Sequence, residues 1–217
     1  MSMVRGKCFV ECLPHESIAK LSQTDGARHH EVDNIVQNVS SPACLCVGVW
    51  SKVNLGACPR YINTVQNFDI EAYLGTWYEY SKYPFAYEID GRCVKHDYET
   101  LSENKISVLA TQFSSLNVQT STDGVAKIVD PGKLSVRFNG LAALLGLTDY
   151  WVLATDYENY AVVYSCKNLA DAHAKNVWIL TRERDPAEDV VTDAEDVLIS
   201  NGLSLDPLIV TDQTDCE

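Results

Sequence analysis

A chain of 217 residues, 46% of them hydrophobic, is long enough for one cored domain and an appendage. No apolar run reaches the length of a bilayer span, and a formal net charge of -13 repels nucleic acid phosphates and anionic lipid, so neither is expected as a primary partner. The 8 cysteines, an even count in a chain rich in strand-like segments, point to an oxidising compartment and a secreted protein.

Residues 1–57 hold Ser, Gln, Asn and His without periodicity, and Cys44 to Trp50 is their one apolar patch. A standard signal peptide starts nearer the N-terminus and has a longer apolar core. The segment therefore reads as a disordered or processed leader rather than a folded element. Cys8, Cys12, Cys44 and Cys46, even with His29 and His30, match no common zinc spacing, so no metal site is expected. Asn38-Val39-Ser40 is a glycosylation sequon. A chain beginning near Leu55 is expected to fold and to bind as the full chain does.

From Gly75 to Arg182, segments rich in β-branched and aromatic residues recur about every ten residues between turn signals. Strands are expected at Gly75–Lys82, Cys93–Leu101 and Lys105–Gln112, then at Val118–Val129, which Asp123-Gly124 interrupts as a hairpin turn or a bulge. Pro131-Gly132 precedes a strand at Lys133–Phe138, and Asn139-Gly140 ends it. Asp149–Thr155 and Tyr160–Lys167 flank a turn at Glu158-Asn159, and Asn176–Arg182 closes the series. Many short strands with regular turns predict an antiparallel sandwich or barrel.

One helix follows. Asp185 is expected to cap it, with Pro186 at its first position and Glu188 three residues after the cap. Val190, Val191, Ala194, Val197 and Leu198 form its apolar stripe, and Asn201-Gly202 stops it. Leu208–Thr211 reads as a short edge strand.

Three motifs then stand in order. Gly75-Thr76-Trp77 follows Asn67-Phe68-Asp69, Thr155-Asp156-Tyr157 ends a later strand before Tyr160, and Arg182 follows Trp178-Ile179-Leu180-Thr181. Together they resemble the three motif regions of the lipocalin family, over roughly residues 56–217. Within that family, Leu153-Ala154-Thr155-Asp156-Tyr157-Glu158-Asn159-Tyr160-Ala161 and Val210-Thr211-Asp212-Gln213 resemble apolipoprotein D and its insect relatives, Lazarillo and the bilin-binding proteins. The resemblance implies an all-β fold: an eight-stranded antiparallel up-and-down barrel with one C-terminal helix packed outside. It also implies that Arg182 covers the Trp77 indole at the closed end, and that Cys58 pairs with Cys166 and Cys93 with Cys216. The leader cysteines have no counterparts in the family.

The implied function is to bind and transport a small hydrophobic ligand in the cavity, with roles in lipid handling and protection against oxidative stress. Strand alternation and the resemblance together assign Glu79, Tyr98, Phe138, Tyr150 and Trp178 to the cavity wall, with Ser81 facing in and Lys82 near the mouth. Such a wall suits biliverdin, a retinoid, a sterol or a fatty acid, carried as cargo, with no cofactor expected. The apolar loop Leu141–Leu147 is either a greasy lip for a lipoprotein or membrane surface, or a lid over the ligand. Tyr83-Pro84-Phe85-Ala86-Tyr87 is expected as a second flap at the same mouth.

Two other classes compete. An enzyme would need a cavity thiol, but the implied pairings consume the barrel cysteines, and His96 and His173 stand alone. No catalytic residue is therefore assigned. A cell-surface interaction protein with a lipid anchor would need a hydrophobic tail, and the chain ends Thr211-Asp212-Gln213-Thr214-Asp215-Cys216-Glu217. A soluble form could still engage a receptor.

Overall fold

A computed structural model describes residues 53–84 and 91–216. The leader cysteines, the sequon and most of the expected Tyr83–Tyr87 flap lie outside them.

Eight antiparallel strands close into a barrel: β2 (Gly75–Lys82), β3 (Arg92–Ser102), β4 (Lys105–Phe113), β5 (Gln119–Asp130), β6 (Lys133–Phe138), β7 (Leu147–Thr155), β8 (Tyr160–Leu169) and β9 (Ala172–Thr181). Each pairs with the next in sequence, and β9 returns to β2 through Tyr78↔Thr181 and Lys82↔Trp178. Closure leaves no open edge within the ring. Two short strands flank the seam. β1 (Val53–Leu55) pairs with β9, so folded structure begins ahead of residue 58. β10 (Ile209–Val210), inside the expected Leu208–Thr211, pairs with β2 at Lys82 and Ser81.

The Asp123-Gly124 signal is neither a turn nor a bulge. β5 runs through it with unbroken register, Asp123 opposite Leu109 and Gly124 opposite both Val108 and Phe138. A Cβ at Gly124 would lie 2.8 Å from the Arg137 carbonyl oxygen, so glycine is there to let two curved strands approach closely.

The helix also differs from expectation. α2 spans Glu188–Ser200, and its N-cap is Ala187, with no side-chain capping bond. Asp185 lies ahead of the helix, in a segment drawn to the barrel. There Thr181 Oγ1 donates to the Glu183 carbonyl and the Arg184 guanidinium stacks 4.3 Å from the Tyr78 ring. The stripe holds: Ala194 and Leu198 are fully buried against the barrel's outer face, beside Val162, Tyr164 and Ile179. Tyr83 joins this outer cluster, being 1% exposed, with its hydroxyl donating to the Ser204 carbonyl.

Strand alternation divides the molecule into two cores. On β9, Val177 and Ile179 face α2, whereas Leu180 and Trp178 face the interior with Val108, Leu134, Val136 and Val152. Each fully buried aliphatic side chain contributes about 1.5–3 kcal/mol.

A short helix, α1 (Ile70–Tyr73), lies across one end of the barrel, capped by Asp69, which accepts from the Glu71 and Ala72 amides. Trp77 is fully buried above it and donates from Nε1 to the Tyr73 carbonyl at 2.8 Å. The Arg182 guanidinium covers the indole at 3.7 Å. Trp77 and Arg182 thus meet at the closed end of the barrel. Gly75 has φ +90, with the Arg182 Nη1 atom 3.5 Å from the Cβ it lacks.

Thr155, Asp156 and Tyr157 build the adjoining β7–β8 turn. The Asp156 carboxylate accepts from the Glu158, Asn159 and Tyr160 amides and from Asn159 Nδ2. Thr155 Oγ1 accepts from the Tyr157 amide and donates to the Tyr160 carbonyl, which holds Tyr157 at φ 68. Burial alone would push the Asp156 carboxyl up, but these hydrogen bonds hold it below the usual carboxylate range. A depressed carboxylate stabilises the fold above its unfolded pKa, and that contribution is lost as pH falls through the folded value. Asp156→Ala is expected to cost about 1–2 kcal/mol near pH 7. The difference from the parent should shrink below the carboxylate range, which urea titrations at pH 7 and pH 3 would check.

Candidate functional site

The barrel opens at the end opposite α1 and encloses a cavity of about 400 Å³, a size suited to a single small ligand. Four of the five assigned wall residues line it: Tyr98, Phe138, Tyr150 and Trp178. Lower down, Val108, Ala126, Leu134, Val136 and Leu180 complete an apolar wall.

Glu79 does not belong to this wall. It is fully buried, its Oε1 lies 2.9 Å from Lys82 Nζ and accepts from Thr211 Oγ1 at 2.6 Å, and it is absent from the cavity surface. The cause is local. β2 bulges between Glu79 and Ser81 where it leaves β3, and the C-terminal segment fills the gap. Gln213 Nε2 donates to the Glu79 and Val94 carbonyls, bridging β2 and β3. A carboxylate there needs a cation, and Lys82, buried with it, is that cation rather than a residue of the mouth. Val210-Thr211-Asp212-Gln213 is thus a patch in the barrel wall.

The cavity floor is a chain of phenols. Tyr150 OH is 2.8 Å from Tyr73 OH and 2.7 Å from Tyr98 OH. Burial pushes the Tyr73 phenol up, only partly offset by the Tyr150 hydrogen bond and the Arg182 charge. Burial pushes Tyr150 well above the usual phenol range, and its two tyrosine neighbours add to the shift. The floor is therefore polar but uncharged. Tyr150→Phe removes the partner of the Tyr73 hydroxyl and is expected to cost about 1–3 kcal/mol, read as a lower melting temperature.

The upper wall carries polar side chains that the sequence did not single out for the cavity: His96, Gln112, Thr122, Thr148 and Asn176. Asn176 was taken as the first residue of its strand, but β9 starts at Ala172, which puts Asn176 mid-strand on the same face as Trp178. Among the described residues, no Lys or Arg lines the cavity.

The β6–β7 connection forms the rim as a 3₁₀ turn, Gly140–Leu145. Leu141, Ala142 and Leu145 touch the cavity, yet Leu141 and Leu144 are 83% and 81% exposed and Leu147 60%. The loop thus borders the opening with much of its apolar surface exposed. Both expected disulfides are present, Cys58–Cys166 and Cys93–Cys216. Every described cysteine is thereby paired, and no described thiol faces the ligand space.

The family model for the lipocalin and cytosolic fatty-acid binding proteins matches residues 74–215. Apolipoprotein D of Oryctolagus cuniculus is 38% identical over 167 residues, covering 75% of this chain and 86% of its own length. Lazarillo protein of Schistocerca americana is 31% identical over 177 residues, covering 78% and 80%. The solved structure of insecticyanin from Manduca sexta superposes with a TM-score of 0.65 at 27% identity, covering 76% of this chain and 90% of that one. With a closed barrel, a Trp77–Arg182 bottom and a match over most of the described residues, this chain belongs to the lipocalin family.

Proposed function

We propose that the protein binds one small hydrophobic molecule in its barrel and carries it, chemically unchanged, in the extracellular space. The observation that carries this reading is the cavity: about 400 Å³, floored by uncharged phenols, walled by aliphatic and aromatic side chains and open at one end. Two disulfides suit an oxidising compartment. An enzyme acting through a cavity thiol gains no support, since the four described cysteines are bonded to one another.

Retinol is a suitable probe, because a polyene seated beside Trp178 quenches indole fluorescence. Titration is expected to saturate at one equivalent. Ala110→Trp, which fills the space beneath the mouth, should weaken binding at least about tenfold while leaving the barrel folded. Failure of the parent to saturate overturns the carrier reading.

The exposed lip supports a companion reading, that Leu144 and Leu147 rest on a lipid or lipoprotein surface while cargo enters beside them. Leu144→Glu with Leu147→Glu should abolish flotation with phosphatidylcholine vesicles without changing retinol affinity. Unchanged flotation rules out the lip as the contact.

A further inference from the structure

β2 and β3 separate halfway up the barrel. Their ladder runs from Gly75↔Tyr98 to Tyr78↔Lys95, and above it the C-terminal segment takes the edge of β2 that β3 has left. β10 pairs with Ser81 and Lys82, and the Thr211 amide donates to the Tyr80 carbonyl at 2.9 Å. On its other side the segment meets β3, where the Cys93 amide donates to the Asp212 carbonyl at 2.7 Å. Gln213 Nε2 reaches both strands, through the Glu79 and Val94 carbonyls. The segment is thus a strap inserted in a slot between two strands of the wall. Val94 and His96, on the β3 side of that slot, line the cavity.

Little apolar burial holds the strap. Ile209 and Val210 are 53% and 64% exposed, and of residues 209–216 only Thr211 is buried. Upstream, Leu203, Leu205 and Leu208 anchor the segment in the outer core. Downstream, the Cys93–Cys216 bond pins its end to β3. A two-residue strand near a chain end frays unless it is tied down, and this bond is the tie.

The surroundings of the bond favour its reduction. Cys216 is the more exposed partner, whereas Cys93 is 3% exposed. Arg92 Nη1 lies 3.7 Å from Cys93 Sγ and also donates to the Thr214 carbonyl at 3.2 Å. When one thiolate of a dithiol attacks Cys216 Sγ, the S–S bond breaks and Cys93 leaves with the electron pair beside a guanidinium, which stabilises it. The second thiol then attacks the mixed disulfide. Cys216 is freed, the two cysteines end as thiols, and the dithiol is oxidised to its own disulfide. An Arg92 drawn to the Cys93 thiolate also loosens its hold on Thr214.

We infer that the Cys93–Cys216 bond is a reducible latch on a side exit of the cavity, and that a dithiol speeds cargo release by cutting it. The ring stays closed below the slot, because β2 keeps its lower ladder with β3 and its pairing with β9. The inference rests on the carrier reading above and adds a means of control to it.

The test loads the full chain with retinol and follows its transfer to excess phosphatidylcholine vesicles, with and without dithiothreitol at pH 8. Dithiothreitol is expected to raise the dissociation rate of the parent at least about fivefold. Cys93→Ser with Cys216→Ser should show the fast rate without reductant and no further rise with it, which separates this bond from every other cystine. Gln213→Ala keeps the crosslink and removes the bridge between the strands, and should raise the rate about threefold. Hydrogen exchange reads the strap itself: reduction should speed exchange of the Thr211 and Cys93 amides at least about tenfold while the Tyr78 and Lys95 amides keep their protection. A parent rate unchanged by dithiothreitol overturns the inference, as does a fast rate accompanied by lost protection at Tyr78 and Lys95, which would mean global loosening. A rise with dithiothreitol that persists in the double serine variant overturns it too. In each of these cases saturable retinol binding by the parent leaves the carrier reading standing. If the parent never saturates, the carrier reading fails and the inference with it.

Discussion

Arg182→Ala is expected to lower the unfolding free energy by about 3–5 kcal/mol, among the largest single-residue losses in the chain. The guanidinium lies 3.7 Å from the Trp77 ring, which contributes about 0.5–2 kcal/mol in a partly desolvated setting. It also donates from Nε to the Tyr157 carbonyl at 3.0 Å, from Nη1 to Thr76 at 2.8 Å and from Nη2 to Ala72 at 3.1 Å. These carbonyls belong to the β7–β8 turn, to β2 and to α1, so one side chain ties three segments over the closed end. Removing it leaves the carbonyls at a covered surface without donors, at about 1–3 kcal/mol for each that water cannot reach. The terms are not additive, which is why the expected loss stays below their sum. Arg182→Lys keeps the charge but not the planar fork, so it should recover less than half of the loss. Urea titration checks both, as a lower midpoint at unchanged slope. A loss under about 1 kcal/mol for Arg182→Ala would show that the barrel bottom is held by burial of Trp77 alone.

Much of the fold was legible because its signals are local and redundant. β2 and β6 begin and end where the sequence placed them, since Gly75, Pro131-Gly132 and Asn139-Gly140 bracket runs of alternating apolar residues. The stripe of α2 was equally plain. Misreadings arose where a local signal served a non-local need. Gly124 looks like a turn residue, but the reason for it is the Arg137 backbone on the neighbouring strand. Asp185-Pro186 looks like a helix start, but Arg184 and Thr181 hold that stretch to the barrel and delay the helix to Glu188. At the site, the aromatic wall followed from alternation together with the resemblance to the lipocalin family. Glu79 did not, because alternation breaks at the bulge after it and a chain segment 130 residues away supplies its partner, Thr211 (separation 132). Asn176 was within reach: it shares parity with Trp178, and extending the strand back to Ala172 would have placed it inside.

Replacing Cys58 and Cys166 together by alanine is expected to cost about 2–5 kcal/mol, close to the fall for Arg182→Ala but with a different cause. The bond spans 108 residues, and in the chain-entropy model a loop of that length contributes about 4.7 kcal/mol by restricting the unfolded chain. The folded state loses little geometry, because other bonds hold the same segment. The Cys58 amide donates to Asn168 Oδ1, the Asn63 amide to Asn201 Oδ1 and the Val65 amide to the Val152 carbonyl, and Phe68 packs beneath Tyr73. Neither cysteine lines the cavity. The double variant should therefore unfold at lower urea with a steeper slope, since a chain freed of the crosslink exposes more surface, while its retinol affinity stays within about twofold. Arg182→Ala, by contrast, should lower the midpoint without steepening the slope. If the alanine pair loses affinity in step with stability, the crosslink shapes the barrel mouth rather than the denatured ensemble, and the separation drawn between the outer frame and the ligand wall is wrong.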